Sequence, residues 1–126
     1  MVTAERRAEA TWEGDLMSAA GVVSAASSGG FSELPVSWAA RTEESGGKTS
    51  PEELIAAAHA SCYCMALSAG LAKSGTPARK LEVSAAVTFE VGEAGARVAS
   101  RALTVKGTVS GVDAAAFEKA AVAAKD

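Results

Sequence analysis

Between Leu81 and Val91 apolar and polar residues alternate, so that Leu81, Val83, Ala85, Val87, Phe89 and Val91 fall on one side of an extended chain. Period-two alternation marks a strand with one face buried. Gly92-Glu93-Ala94-Gly95 turns the chain into residues 97–110, where Ala102 and Thr104 alternate with Leu103 and Val105. The two runs read as an antiparallel hairpin. Three shorter alternating runs precede them. Residues 8–15 place Ala8, Ala10 and Trp12 on one face and stop at Gly14-Asp15; residues 21–27 stop at Ser28-Gly29-Gly30; residues 34–42 alternate at Val36 and Trp38. These three form a meander, with Pro35 pushing the third strand toward a sheet edge because proline cannot donate to a ladder.

The pattern changes at Thr49-Ser50-Pro51-Glu52-Glu53, after the polar loop of residues 43–48. Ser50 is an N-cap, Pro51 stands where a missing N–H costs nothing, and Glu53 completes a capping box. A helix is therefore expected from Pro51 to a stop at Gly75, which Pro77 follows and Lys73 precedes in the last turn. A second helix starts at Asp113, with Phe117, Ala120, Ala121 and Ala124 as its apolar stripe, and reaches Lys125-Asp126 without a stop signal. The order βββ-α-ββ-α predicts an α+β fold, antiparallel sheets around a long central helix. Residues 1–126 suffice for one domain and are too few for two ordinary ones.

Composition narrows the possible partners. A net charge of −3 and a pI near 5.2, with no basic stripe, argue against nucleic acid. The N-terminus has no apolar run behind Arg6 and Arg7, and nowhere do eighteen apolar residues follow one another, so neither a signal peptide nor a membrane span is expected. A cytoplasmic protein with free thiols is the consequence. Alanine is abundant and aromatics make up 5% of residues, which suggests a small-residue core completed by a partner subunit.

Both cysteines and the single histidine lie in the central helix. Cys62 and Cys64 point about 200° apart and cannot bond each other without unwinding it. His59 shares a face with Cys62 alone, which gives two ligands where tetrahedral zinc needs more, so no metal is expected. Taken by themselves, both cysteines fit inert core residues and His59 a side chain satisfied at an interface. Arg41 fits an edge charge, and Glu52 and Glu53 are carboxylates favoured at a helix N-terminus.

The segment K-T-S-P-E-E-L-I-A-A-A-H-A-S-C-Y-C-M-A-L-S, residues 48–68, closely resembles the signature helix of the OsmC family, the osmotically inducible and organic hydroperoxide resistance proteins. W-E-G-D near the start, Arg41 ahead of the loop, the strand pair after the helix and V-D-A-A-A-F-E-K near the end stand in the family's order, and the likeness is to the OsmC branch. The resemblance implies an intertwined dimer and a thiol-dependent peroxidase acting on organic hydroperoxides, with hydrogen peroxide as a second candidate substrate, in stress defence. It makes Cys62 the peroxidatic cysteine and matches Arg41 and Glu52 to the arginine and glutamate around it. Cys64 occupies a position the family does not need. The family's second cysteine lies in a Cys-Pro motif after the last helix, followed by a last strand. The sequence stops at Asp126, where that motif is expected to begin. Either the chain given is truncated ahead of that motif, or an external thiol reductant, such as a dihydrolipoyl group or another dithiol, recycles the enzyme; no bound cofactor is expected.

Physical chemistry gives those residues their work. Only a thiolate attacks peroxide, and a thiol of ordinary pKa near 8.5 is only about 3% ionised at pH 7. Cys62 lies about three turns inside its helix, beyond the reach of the N-terminal dipole. The Arg41 guanidinium is the expected substitute, held in place by Glu52. Glu52 is ten residues before Cys62, about 15 Å along the axis, so one side chain cannot span the gap. A shared site therefore needs the partner's Glu52, from two copies of the helix crossing antiparallel near Ala57 in a twofold homodimer with composite sites. Two other classes of function fit the same residues: a thiol redox sensor without turnover, and a non-catalytic binding protein on this fold.

Overall fold

The meander forms first in the chain. Strands β1 (Glu9–Glu13), β2 (Ala20–Ser24) and β3 (Leu34–Ser37) pair antiparallel in the order β1-β2-β3. Pro35 thus lies on an outer strand, where its missing N–H breaks no ladder bond on the open side. The computed structural model describes residues 2–125, and the chain divides into two units, Met1–Pro51 and Glu52–Asp126.

Two expectations for this first unit need correction. The second strand ends at Ser24 rather than Ser27, because Ala25 donates to the Phe31 carbonyl at 2.9 Å and Gly29 to the Ala25 carbonyl at 2.8 Å, which folds residues 25–31 back on themselves. The third ends at Ser37, and Trp38–Thr42 is a short helix, α1. Ser37 caps it, its hydroxyl accepting from the Ala40 N–H at 3.1 Å, and Thr42 donates to the Trp38 carbonyl at 2.9 Å. Two alternating residues, Val36 and Trp38, were too few to separate a strand from a cap followed by Ala39-Ala40, good helix formers. Arg41 consequently stands on a helical turn and not in an apolar strand.

Helix α2 runs from Pro51 to Lys73, as the capping signals at its start predict. It closes with a Schellman motif: Thr76 N–H donates to the Leu71 carbonyl at 2.9 Å and Gly75 N–H to the Ala72 carbonyl at 3.0 Å. Gly75 makes this possible with φ of 80°, a conformation costly for any residue carrying a Cβ.

The core of the second unit is built on one stripe of α2. Tyr63, Leu67 and Leu71 are buried, and each leucine contributes about 1.5–3 kcal/mol through its apolar area. Around them pack Leu81 and Val83 of β4 (Ala78–Gly92), Leu103 and Val105 of β5 (Gly95–Val109), and Phe117 and Ala120 of α3 (Ala114–Ala123). Beta4 and β5 form a two-stranded antiparallel sheet whose inward positions meet in pairs: Val83 with Val105, Ala85 with Leu103, Val87 with Arg101, Phe89 with Val98. A register shift next to Phe89 leaves Ala99 unpaired and keeps Val98 and Arg101 on the same face. At Gly107 any Cβ would run into the Phe117 ring, so glycine there lets α3 lie directly on β5. Asp113 caps α3 as its position predicts, accepting from the Ala116 N–H at 2.8 Å.

The apolar character of α2 exceeds what an uninterrupted-run criterion detects. Averaged over eighteen residues its mean hydropathy reaches 1.5, long and apolar enough to cross a membrane, with 17% of that window buried. The same helix carries the core of the second unit, which the core helix of a water-facing domain also does.

Candidate active site

Helical spacing sorts the residues of α2 onto two faces. Tyr63, Leu67 and Leu71 hold one against the hairpin and α3. About 140° around the helix, Ile55, Ala58, Cys62, Met65, Ala66 and Ala69 fall within an arc of about 100°. All six are exposed, Met65 at 72%. Cys62 therefore sits in the middle of an apolar stripe that reaches water. Cys64 is half-buried on the opposite side, beside Arg79 and Leu81 in a groove of about 590 Å³, and both thiols are free. The opposed orientation of the two cysteines follows the helical period.

The other two candidates lie away from Cys62 along the chain. Glu52 stands in the first turn of α2 and is buried, 7% exposed. Ten residues of helix separate it from Cys62, about 15 Å along the axis, so the two side chains of one helix do not meet. Arg41 belongs to the N-terminal unit. It is half-buried in the last turn of α1, and its guanidinium lies over the Trp38 ring, 5.9 Å from the centroid, at cation–π range. That contact occupies one face of the guanidinium. Neither Arg41 nor Glu52 is without a polar or ring partner. Among the described residues no group of three or more His, Cys, Asp or Glu side chains is placed to hold a metal.

Tyr63 follows Cys62 and faces the other way, donating from its hydroxyl to the Ala121 carbonyl at 2.6 Å. Burial pushes its phenol above the usual range, and the neighbouring Cys64 adds to the shift. A pKa raised by folding contributes stability that is complete below the unfolded value near 10 and is lost as pH rises through the folded one. An alkaline titration read by the absorbance of this only tyrosine should therefore show ionisation above pH 10, coincident with loss of α3 packing.

Residues 43–126 match the family model described as OsmC-like protein. The peroxiredoxin OsmC of Escherichia coli K12 is 37% identical over 117 residues, spanning 93% of this chain and 80% of that protein, and the Shigella flexneri protein of the same name matches to the same extent. The chain belongs to the OsmC family. Among solved structures it is similar to an OsmC-like protein of unknown function from Vibrio cholerae, with a TM-score of 0.68, 20% identity and coverage of 97% of this chain and 88% of that one. The organic hydroperoxide resistance protein OhrB of Bacillus subtilis gives a TM-score of 0.65 at 19% identity, covering 94% of this chain and 82% of that one. Those two likenesses establish the OsmC fold: mixed α and β, antiparallel sheets and a long central helix.

Proposed function

We propose that this OsmC-family chain is a thiol-dependent peroxidase that reduces organic hydroperoxides to alcohols in the cytoplasm, with Cys62 as the reacting residue. The observation that carries the reading is the exposed Cys62 at the centre of an apolar stripe, in a chain 37% identical to a peroxiredoxin. A thiol so placed is open to a hydroperoxide whose organic part prefers an apolar surface.

In the step proposed, the Cys62 thiolate attacks the distal peroxide oxygen. An S–O bond forms as the O–O bond breaks, the electron pair leaves with the proximal oxygen, and that oxygen takes up a proton to become the alcohol. Sulfur is oxidised by two electrons to a sulfenic acid and the peroxide is reduced by two. An external dithiol then reduces the sulfenic acid to thiol, releasing water and becoming a disulfide. Arg41 supplies charge to the thiolate and to the departing oxygen, where both are negative. Mass spectrometry after one equivalent of cumene hydroperoxide should find one added oxygen on Cys62; an unmodified Cys62 would defeat the proposal.

The same stripe supports a homodimer. An exposed row from Ile55 to Ala69 with alanines at its contact positions allows two α2 helices to approach closely. Crossing antiparallel about a twofold axis at the height of Ala57, they would bring residue 52 of each beside residue 62 of the other. Sedimentation should return a dimer, and Ile55→Glu should shift it toward monomer together with loss of activity. For Arg41, the fork of N–H donors matters as well as the charge. Arg41→Met is expected to lower kcat/KM about a hundredfold, and Arg41→Lys to recover only part of that loss.

One observation favours a redox sensor as the second reading. Cys64 points away from Cys62, so within α2 no thiol is in reach to resolve a sulfenic acid. Peroxide consumption with dithiothreitol separates the two, because a sensor stops after a single stoichiometric burst.

A further inference from the structure

The inward face of the β4–β5 hairpin is apolar at Leu81, Val83, Ala85, Val87 and Phe89 on one strand and at Val98, Leu103, Val105 and Val109 on the other. Arg101 interrupts it. Its register partner is Val87, which offers the guanidinium nothing to pair with. Beside it opens a cavity of about 380 Å³ between α2, β5 and the end of α3, lined by His59, Tyr63, Arg101, Leu103, Val122 and Lys125 among others.

Three nitrogen-bearing side chains thus converge from three elements. Among the described residues no carboxylate lines the cavity, although the chain as a whole carries more acidic than basic groups. Lys125 follows the carbonyl end of α3, which offsets part of its charge. Arg101, in mid-strand on β5, lies at no helix end, and Tyr63 has committed its hydroxyl proton to the Ala121 carbonyl. A cleft with one sign of charge and apolar walls concentrates its field on whatever enters, and a guanidinium matches an anionic oxygen pair with two parallel N–H bonds.

We propose that this cavity is a binding site for a small amphipathic organic anion, a carboxylate or phosphate monoester whose head meets Arg101, Lys125 and His59 while a short apolar tail lies on Leu103 and Val122. The volume falls at the lower end of the range for small-molecule pockets. None of the lining residues is the reacting cysteine or the arginine and glutamate proposed to serve it.

His59 is the only histidine and lines this cavity, so its ring proton signal in a nuclear magnetic resonance titration is unambiguous and reads occupancy there. Octanoate, octyl phosphate, octanol and inorganic phosphate are to be titrated into the full chain. At least one of the two amphipathic anions should shift the signal saturably and bind at least tenfold tighter than octanol and than inorganic phosphate. Arg101→Gln should weaken that binding at least tenfold with the amide spectrum otherwise retained, and Lys125→Gln should weaken it less; if Arg101→Gln unfolds the chain, the Lys125 variant decides. Cys62→Ser should bind unchanged. Octanol binding as tightly as the anions, inorganic phosphate binding as tightly as octyl phosphate, absence of a saturable shift, or unaltered affinity in the deciding variant would each overturn the assignment.

Discussion

Cys62→Ser should abolish hydroperoxide consumption, lowering kcat/KM by about a thousandfold or more, while Cys64→Ser leaves it within about twofold. The contrast between the two cysteines makes this decisive. A hydroxyl in place of the thiol keeps the size and the helix but lacks a nucleophile that ionises near neutral pH. Cys64 is two residues away, half-buried and turned to the other side of α2, so its removal leaves the stripe around Cys62 untouched. Turnover with dithiothreitol as electron donor measures both variants. Equal loss in the two would assign the effect to α2 packing, and retention of activity in Cys62→Ser would remove the peroxidase reading.

Leu67→Ala should lower the unfolding free energy by about 3 kcal/mol and the thermal midpoint by about 10 °C. Leu67 has no exposed surface and is held between the hairpin and α3, so the vacated volume is enclosed by side chains already committed to Leu81, Val83, Leu103, Val105 and Phe117. Ser68→Ala, one position along and exposed, is expected to change stability by no more than about 0.5 kcal/mol. Calorimetry on the two variants checks the pair. A cost below about 1 kcal/mol for Leu67→Ala would show that the surrounding side chains collapse into the space, contrary to the dense packing expected of the core.

Legibility in the sequence followed how many residues carried each signal. The hairpin was readable because its alternation persists over six apolar positions, and α2 because Ser50, Pro51, Glu53 and Gly75 are punctuation with separate physical causes. The boundary at Ser37 was hidden, since Val36 and Trp38 fit a strand and a capped turn equally well until Ser37 is seen accepting from Ala40. Arg101 went unremarked for a related reason. Alternation back from Leu103 puts Arg101 on the same face, but the cavity beside it exists only where α2 and the end of α3 pack against β5, which no local pattern encodes. For Cys62 the helical period gave its face and separation from Cys64, whereas its exposure depends on what packs against α2, a tertiary matter that no local pattern encodes.

The β4–β5 hairpin is held unevenly along its length. Its strands are fifteen residues each, but the core residues of α2 and α3 grip only the base, at Ala78, Leu81, Val83, Leu103, Val105 and Val109. Toward the turn, Val91 and Val98 are exposed at 55% and 41%. Opening therefore costs progressively less from base to tip, and amide hydrogen exchange should trace that gradient: slow at Val83 and Val105, faster at Val91 and Ala96. The hairpin is in this sense a graded spring, clamped at one end by the helix that bears the cysteine and loosest where the chain reverses.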